Sequence, residues 1–246
     1  YYSILNTTCM FVFKQGGDFL KKYLFILKNC PFFSGMSEEE ILSILNCIDA
    51  KVLCKEANEY ILRAGDSTTS MGLVLKGSVL AVQEDLWGHR NIMSKIEEGD
   101  FFAEPYAATP GSVLNINVVA CGHCEIMMLN ISRLLSVCPT VCEHHNKLIR
   151  NLVAVLAGKV LLFNEKITHM SKRTTREKLL SYLSSESIKQ GKLSFDIPYD
   201  RQQLADYLCV ERAAMSVELS KLQKEGLLKT RRNHFELCEV LKSGKI

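Results

Sequence analysis

Three groups of residues in this 246-residue chain have types and spacing suited to chemistry. The first centres on a lone acid. In GDFFAEPYAATP, residues 99–110, Glu104 follows a Phe-Phe-Ala run and precedes Pro105 and Tyr106. A carboxylate in such apolar company is costly to bury unless a cation or hydrogen-bond donors pair with it. Lys159, between Leu156 and Leu162, is a candidate partner for Glu104 or for an acidic effector, and a solvated lysine is the plainer alternative. Asn115 and Asn117 share a strand face by their spacing. They are candidate hydrogen-bonding groups for a ligand or, equally, for barrel backbone.

The second group pairs thiols with imidazoles: Cys121-x-x-Cys124 with His123, and Cys138-x-x-x-Cys142 with His144 and His145. These side chains suit zinc or a softer metal. Strand positions three apart face opposite sides, however, so Cys121 and Cys124 meet only if Gly122 turns the chain. Buried or surface thiols are therefore expected, with no metal site, and a metal or thiol-redox sensor is kept as the alternative.

The third group lies in YDRQQLADYLCVERAAMSVELSKLQKEGLLKTRRNHFELCEV. Asp200 with Gln203 forms a capping box for one helix, with Leu204, Ala205 and Leu208 inward. Cys209-Val210-Glu211 is a short connector. A second helix starts near Arg212, turns Met215, Leu219 and Leu222 inward, and ends at Gly226. "LLKT" and "HFELCE" then alternate around the basic turn "RRNH", a two-stranded wing. Small Ala205 lets the two helices approach closely. The second helix turns Arg212, Ala213, Ala214, Ser216, Val217 and Ser220 outward. A solvent-facing helix has little use for Ala and Val there, whereas a major-groove helix does. Arg bonds guanine O6 and N7 bidentately, and Ala or Val touches thymine methyls. Arg201, Arg231 and Arg232 are suited to phosphates. A winged helix used only for protein contacts is the alternative.

The surrounding elements follow from pattern. Ser37 with Glu40 caps a helix carrying Ile41, Leu42, Leu45 and Ile48. From Ala50, short β-rich runs are punctuated by Gly65-Asp66, Lys76-Gly77, Trp87-Gly88 and Gly99-Asp100, as in a sandwich or barrel. After Pro139 the period returns to that of a helix. Ile149, Leu152, Leu156, Val160, Phe163, Ile167 and Met170 make one apolar stripe, and Leu148, Val155 and Leu162 a second. Two stripes mean two apolar partners: the barrel, and a second copy of the helix in a parallel coiled coil. Burial within one monomer is the alternative. Thr174 with Glu177 caps the next helix.

Composition bounds the rest. The chain is 47% hydrophobic with a formal net charge of +3. Residues 1–163 hold 14 Lys+Arg against 16 Asp+Glu, and residues 164–246 hold 16 against 11. The basic C-terminal part suggests a polyanion partner. Ten cysteines with no secretory pattern, and no apolar run of about 20 residues, predict a cytosolic, reduced protein without a membrane span. No phosphate loop, zincin motif or nucleophile elbow is present, so no enzyme is expected.

In order and motif the chain resembles the CRP/FNR family of bacterial transcription regulators over about residues 20–240. RQQLADYLCVERAAMSVELSKLQKEGLL is similar to the family's DNA-binding signature. GDFFAEPYAA looks like its phosphate-binding cassette, GD-x-x-G-E followed by an Arg-Ser pair. The resemblance implies an α+β protein: an N-terminal double-stranded β-helix, or jelly-roll-like β-roll, with flanking helices, a long dimerisation helix and a C-terminal winged helix-turn-helix. The divisions are 19–137, 138–170 and 171–246. It further implies a homodimer on palindromic double-stranded DNA, RNA polymerase as a possible partner, and an effector in the roll. The departures concern the effector. The family's glycine is Ala103, its Arg-Ser is Leu114-Asn115, and no arginine lies between Arg90 and Arg133. Burying a phosphate without a cation is disfavoured, so cyclic AMP is not expected. Any effector is an unidentified small molecule near Glu104, Asn115 and Lys159, and no cofactor is expected. Family members that sense oxygen carry closely spaced N-terminal cysteines; Cys9, Cys30, Cys47 and Cys54 are too dispersed for such a cluster.

Overall fold

The computed structural model describes residues 10–12, 22–135 and 143–238. Backbone contacts divide the chain into two compact units, residues 1–87 with 93–159, and residues 88–92 with 160–246. The boundary falls within the long helix.

The first unit opens with strand β1 (Met10–Val12), helix α1 (Leu24–Asn29), a 3-10 turn (Pro31–Phe33) and helix α2 (Glu38–Cys47). Ser37 caps α2 as its sequence requires. Its hydroxyl accepts from the Glu40 amide at 3.2 Å, and the Glu40 carboxylate accepts from the Ser37 amide at 2.7 Å. Then come β2 (Lys51–Lys55), β3 (Tyr60–Leu62), β4 (Ser70–Lys76), β5 (Val79–Glu84), β6 (Arg90–Ile96) and β7 (Phe101–Phe102). Helix α3 (Glu104–Ala108), β8 (Asn117–Ala120), β9 (Cys124–Asn130), α4 (Ile131–Leu135) and the long α5 (Glu143–Met170) follow. The strands form two antiparallel sheets in the orders β1-β2-β9-β4-β7 and β3-β8-β5-β6. This is the β-roll.

Alternation along the strands builds two cores. Met71, Leu73 and Leu75 of β4, with Met127 and Leu129 of β9, face outward onto α1, α2 and the first half of α5. Val74 of β4 and Ile126 of β9 face inward, against Val79, Ala81, Val118 and Ala120 of the opposite sheet. Both strands are thus buried on both faces, which explains their nearly unbroken apolar runs. Phe101 and Phe102 split in the same way. Phe101 packs outward, its ring centroid 5.3 Å from that of Phe32. Phe102 packs inward over Gly72, its partner in the strand register. A Cβ on Gly72 would stand 2.0 Å from the Phe102 ring, so only glycine admits that ring.

In the second unit α6 (Thr175–Gln190), α7 (Arg201–Leu208) and α8 (Arg212–Lys224) pack on a small sheet, β10 (Ser194–Asp196), β12 (His234–Leu237) and β11 (Leu228–Arg231), in that order. The boxes at Thr174 with Glu177 and at Asp200 with Gln203 are both formed. Near the end of α5, Lys166 and His169 are buried. Lys166 Nζ lies 4.7 Å from the Tyr207 ring centroid and donates to the Asn91 side chain at 3.3 Å and to the Ile92 carbonyl. Burial lowers its pKa to about 8. His169 Nδ1 pairs with Ser181 Oγ at 2.8 Å, and its ring meets Tyr182 edge-on. Burial and then Lys189 lower its pKa. No helix among the described residues is long and apolar enough to cross a membrane.

Candidate nucleic-acid interface and the roll interior

The turn between α7 and α8 is set by Cys209, which closes α7 in the left-handed region at φ 51°. Lys178 of α6 caps that end, donating to the carbonyls of Leu208 at 3.3 Å and Cys209 at 3.4 Å. Ala205 is fully buried at the helix crossing. Arg176 of α6 grips Glu225 at the end of α8 through both guanidinium nitrogens, one contact at 2.9 Å. That contact holds the Glu225 carboxyl below its usual range. The two-helix unit is therefore fixed from behind by a third helix, which leaves its front open.

That front carries the expected residues. Met215, Leu219 and Leu222 are buried beneath α8. Arg212, Ala213, Ala214, Ser216, Val217 and Ser220 are all exposed, Val217 at 54%. Ser216 Oγ donates to the Arg212 carbonyl and Ser220 Oγ to the Ser216 carbonyl, both at 2.9 Å. The hydroxyl protons are thus held within the helix and the oxygens remain outward as acceptors.

The wing is tight. Arg231 pairs with His234, leaving Arg232 and Asn233 as the loop, with Arg232 at φ 54°. Arg231 and Arg232 are exposed. Arg201 differs from them. Its guanidinium lies 4.8 Å from the Phe235 ring centroid and donates to Thr230 Oγ1. Burial lowers its pKa. Its Nη1 is buried without a hydrogen-bond partner, so Arg201 braces α7 against the wing with one nitrogen unsatisfied.

In the roll, Glu104 opens α3 with 1% exposure. Ala103 before it takes φ 64°, a left-handed conformation that costs a non-glycine residue roughly 1–2 kcal/mol. Lys159 Nζ stands 2.6 Å from Glu104 Oε1. The contact has the distance of an ion pair without the alignment of a hydrogen bond, for Oε1 has no aligned donor; distance governs the Coulomb term, so the pair is real. Lys159 also donates to the Phe101 carbonyl.

Leu114, where the resemblance puts the cation, is 2% exposed and packs with Phe102, Ala103 and Ile116. Asn115 accepts from the Tyr106 hydroxyl, and burial raises the Tyr106 pKa. Asn117 Oδ1 accepts from the Ala64 amide at 2.9 Å. Glu104 and Lys159 are thus brought together, while Asn115, though bonded to Tyr106, is exposed and Asn117 bonds backbone.

The thiol groups are dispersed. Cys124 is buried, donating to the Ser78 carbonyl at 3.1 Å, while Cys121 is exposed. His123 Nδ1 faces Glu56 at 2.7 Å. His144 Nδ1 is 2.9 Å from Glu40 Oε1, again an ion-pair distance without hydrogen-bond alignment. Cys138 and Cys142 lie outside the described residues. Among the described residues no group of three or more His, Cys, Asp or Glu could hold a metal ion.

Two residues of α5 differ from the sequence reading. Leu152 is buried at 3% exposure while Val153 is exposed at 60%. The exposed row is therefore Val153, Val160, Phe163 and Ile167, with Ile149 and Leu156 at the same heptad positions half-buried against the roll core; the steps of four and three were available as a heptad signal.

A two-sheet roll followed by a three-helix winged unit defines an effector-type domain joined to a helix-turn-helix. The family model for the cyclic nucleotide-binding domain matches residues 54–140, and that for the Crp-like helix-turn-helix domain matches residues 177–241. No curated protein matches the chain. Among solved structures, FixK2 from Bradyrhizobium japonicum is 18% identical, with 78% of this chain and 94% of that one aligned at a TM-score of 0.61. The c-di-GMP-responsive regulator CLP of Xanthomonas campestris is 18% identical, over 82% and 99%, at 0.67. The CRP/FNR-family regulator TTHA1359 of Thermus thermophilus is 15% identical, over 78% and 95%, at 0.53. At such identities the structures establish the fold, and the two domain matches supply the kind of protein. The chain belongs to the CRP/FNR family of DNA-binding transcription regulators.

Proposed function

We propose that the protein acts as a homodimer that reads a palindromic DNA site with α8, and that its roll does not take cyclic AMP. The observation that carries the first part is the division of α8. Three apolar residues are buried and six small, aliphatic or basic residues are exposed on the other side. Arg212 at the N-terminal end reads guanine, and Ala213, Ala214 and Val217 offer methyl contacts. Ser216 and Ser220 accept from base edges. Arg231 and Arg232 bind phosphate. Arg201, expected from its type to bind phosphate, instead supports the wing from within.

The dimer is supported by the open row on α5. Val153, Val160, Phe163 and Ile167 are each at least 40% exposed. Their heptad spacing suits a left-handed coiled coil with a second copy. Two copies present two recognition helices, which is why a palindrome is expected and why RNA polymerase is a reasonable neighbour on the promoter.

The reading of the roll rests on the Glu104–Lys159 pair and on Leu114. An anionic phosphodiester placed there meets a carboxylate already neutralised by its own lysine and a leucine where charge compensation is needed. The same reasoning extends to any cyclic dinucleotide at this interior, including the c-di-GMP to which the Xanthomonas regulator responds. The alternative, a metal- or thiol-responsive regulator using Cys121, Cys124, Cys138 and Cys142, draws no support from Cys121 and Cys124, which lie in different environments.

A selection from random-sequence duplexes tests the function. A symmetric consensus bound with a steep inverse dependence on salt is expected. Binding that never exceeds that of random duplex would overturn the proposal.

A further inference from the structure

Cys47 closes α2 and is exposed, whereas His145 in the first turn of α5 is only 8% exposed. The Cys47 Sγ and the His145 Nε2 are 3.6 Å apart. The other ring nitrogen, Nδ1, is buried without a hydrogen-bond partner. A histidine tautomer is normally fixed by what the second nitrogen bonds. Here no such bond fixes it, so a proton can pass between Sγ and Nε2 without breaking another contact. The buried imidazole thus meets an accessible thiol, which is the arrangement that activates a cysteine nucleophile.

Three other cysteines lack this arrangement. Cys30 is buried, and burial raises its pKa to about 12. Cys124 is buried and donates to a backbone carbonyl. Cys209 is exposed, but its thiol faces the Asp206 carbonyl at 3.8 Å, and a carbonyl cannot take the proton.

We propose that Cys47 is a thiol-exchange site for low-molecular-weight disulfides, with His145 as its proton acceptor. Nε2 takes the thiol proton as Sγ attacks one sulfur of the reagent. The reagent's S–S bond breaks as the new S–S bond to Cys47 forms. The departing thiolate then takes the proton from Nε2 and leaves as a thiol. Nothing beyond the disulfide is consumed, and a free thiol reverses the step. The site couples the seam between α2 and α5 to the surrounding thiol–disulfide balance.

The test uses the full chain and a neutral probe, bis(2-hydroxyethyl) disulfide, with adducts counted at each cysteine by peptide mass spectrometry. Cys47 is expected to react at least about tenfold faster than Cys209 in the same sample, an advantage a positioned base readily supplies. In urea sufficient to unfold the chain the ratio should fall to about one. His145→Asn should bring Cys47 to the Cys209 rate and leave the Cys209 rate unchanged. Equal rates in the native protein would overturn the proposal. So would a ratio that survives unfolding, or a Cys47 rate indifferent to His145→Asn. If that variant misfolds, which reactive Cys30 and Cys124 would reveal, the native-to-unfolded comparison decides alone. The readout is chemical and independent of DNA binding, so it stands or falls apart from the regulatory reading.

Discussion

On the outer face of α8, Arg212, Ser216, Val217 and Ser220 stand exposed on a helix that is fixed from behind. In the roll, the residues expected to meet a ligand are already engaged: Glu104 with Lys159, Asn115 with Tyr106, and Asn117 with the Ala64 amide. Both regions follow a family pattern, yet the first holds its groups on an open surface while in the second Glu104 is buried against its own lysine. Polar groups held at a surface cost little while they wait, because water satisfies them. The same groups in an interior must find partners or a ligand. A roll without a nucleotide is expected to fill itself, and under the proposed function the Glu104–Lys159 pair with Phe102 and Leu114 is such a filling.

The largest expected effect concerns the proposed second copy of α5. Val160→Glu with Phe163→Glu places like charges on the open heptad row. It should abolish dimers in sedimentation experiments and weaken binding to a palindromic site by about 10³-fold, the loss expected when two linked contacts become independent. A monomeric wild type would remove the basis of this prediction.

Next is a pH dependence within the second unit. Lys166 has a folded pKa of about 8, below the value of about 10.4 expected in the unfolded chain. Below pH 8 both states hold the proton and the folded state bears the full penalty of burying it. Between about pH 8 and 10.4 the unfolded chain still binds a proton that the folded one has released, so stability rises with pH. The total relief is ~3 kcal/mol. Lys166→Met should remove that rise. The difference between the two proteins' melting curves across this range isolates it from tyrosines and cysteines that titrate nearby.

Removing the cation from the roll comes third. Lys159→Met leaves Glu104 buried and unpaired, and should cost about 2–3 kcal/mol in denaturant unfolding, less than for a fully buried pair because Lys159 is 26% exposed. Adding Glu104→Gln should restore much of the loss. A variant as stable as wild type would mean that the pair carries little energy and that the site is less closed than its geometry suggests.

The smallest effect is the most specific. Arg212→Ala should cost about 1–3 kcal/mol on the preferred DNA site and relax discrimination at one base pair. An equal loss on every sequence would reassign Arg212 to phosphate.

Much of this was legible in the sequence, for local reasons. The capping boxes at Ser37, Thr174 and Asp200, the alternation of the strands and the inward residues of α7 and α8 all depend on neighbours a few positions away. The features that were not legible join residues far apart in the chain. Nothing local shows that Phe102 lies over Gly72, and Lys159 could be named only as a candidate partner for Glu104 beside the plainer alternative of a solvated lysine. Arg201 resembled Arg231 and Arg232 in type, yet burial against Phe235 sets it apart. The open row of α5 was partly legible: Val153, not Leu152, completes the heptad, and the choice between adjacent apolar residues is made by how the helix packs on the roll. The thiol–imidazole motifs drew attention to Cys121 and Cys124, whereas the observed pair is Cys47 with His145, contributed by two different helices.

The contrast between an open recognition face and a self-filled roll is tested most directly by one set of binding isotherms. Affinity of the full chain for its selected DNA site would be measured across a salt series, with and without millimolar cyclic AMP. The expected result is specific binding whose salt slope reflects several phosphate contacts and whose affinity is the same in both series. Tightening on addition of cyclic AMP would contradict the proposal that the Glu104–Lys159 pair and Leu114 take the place of a bound nucleotide.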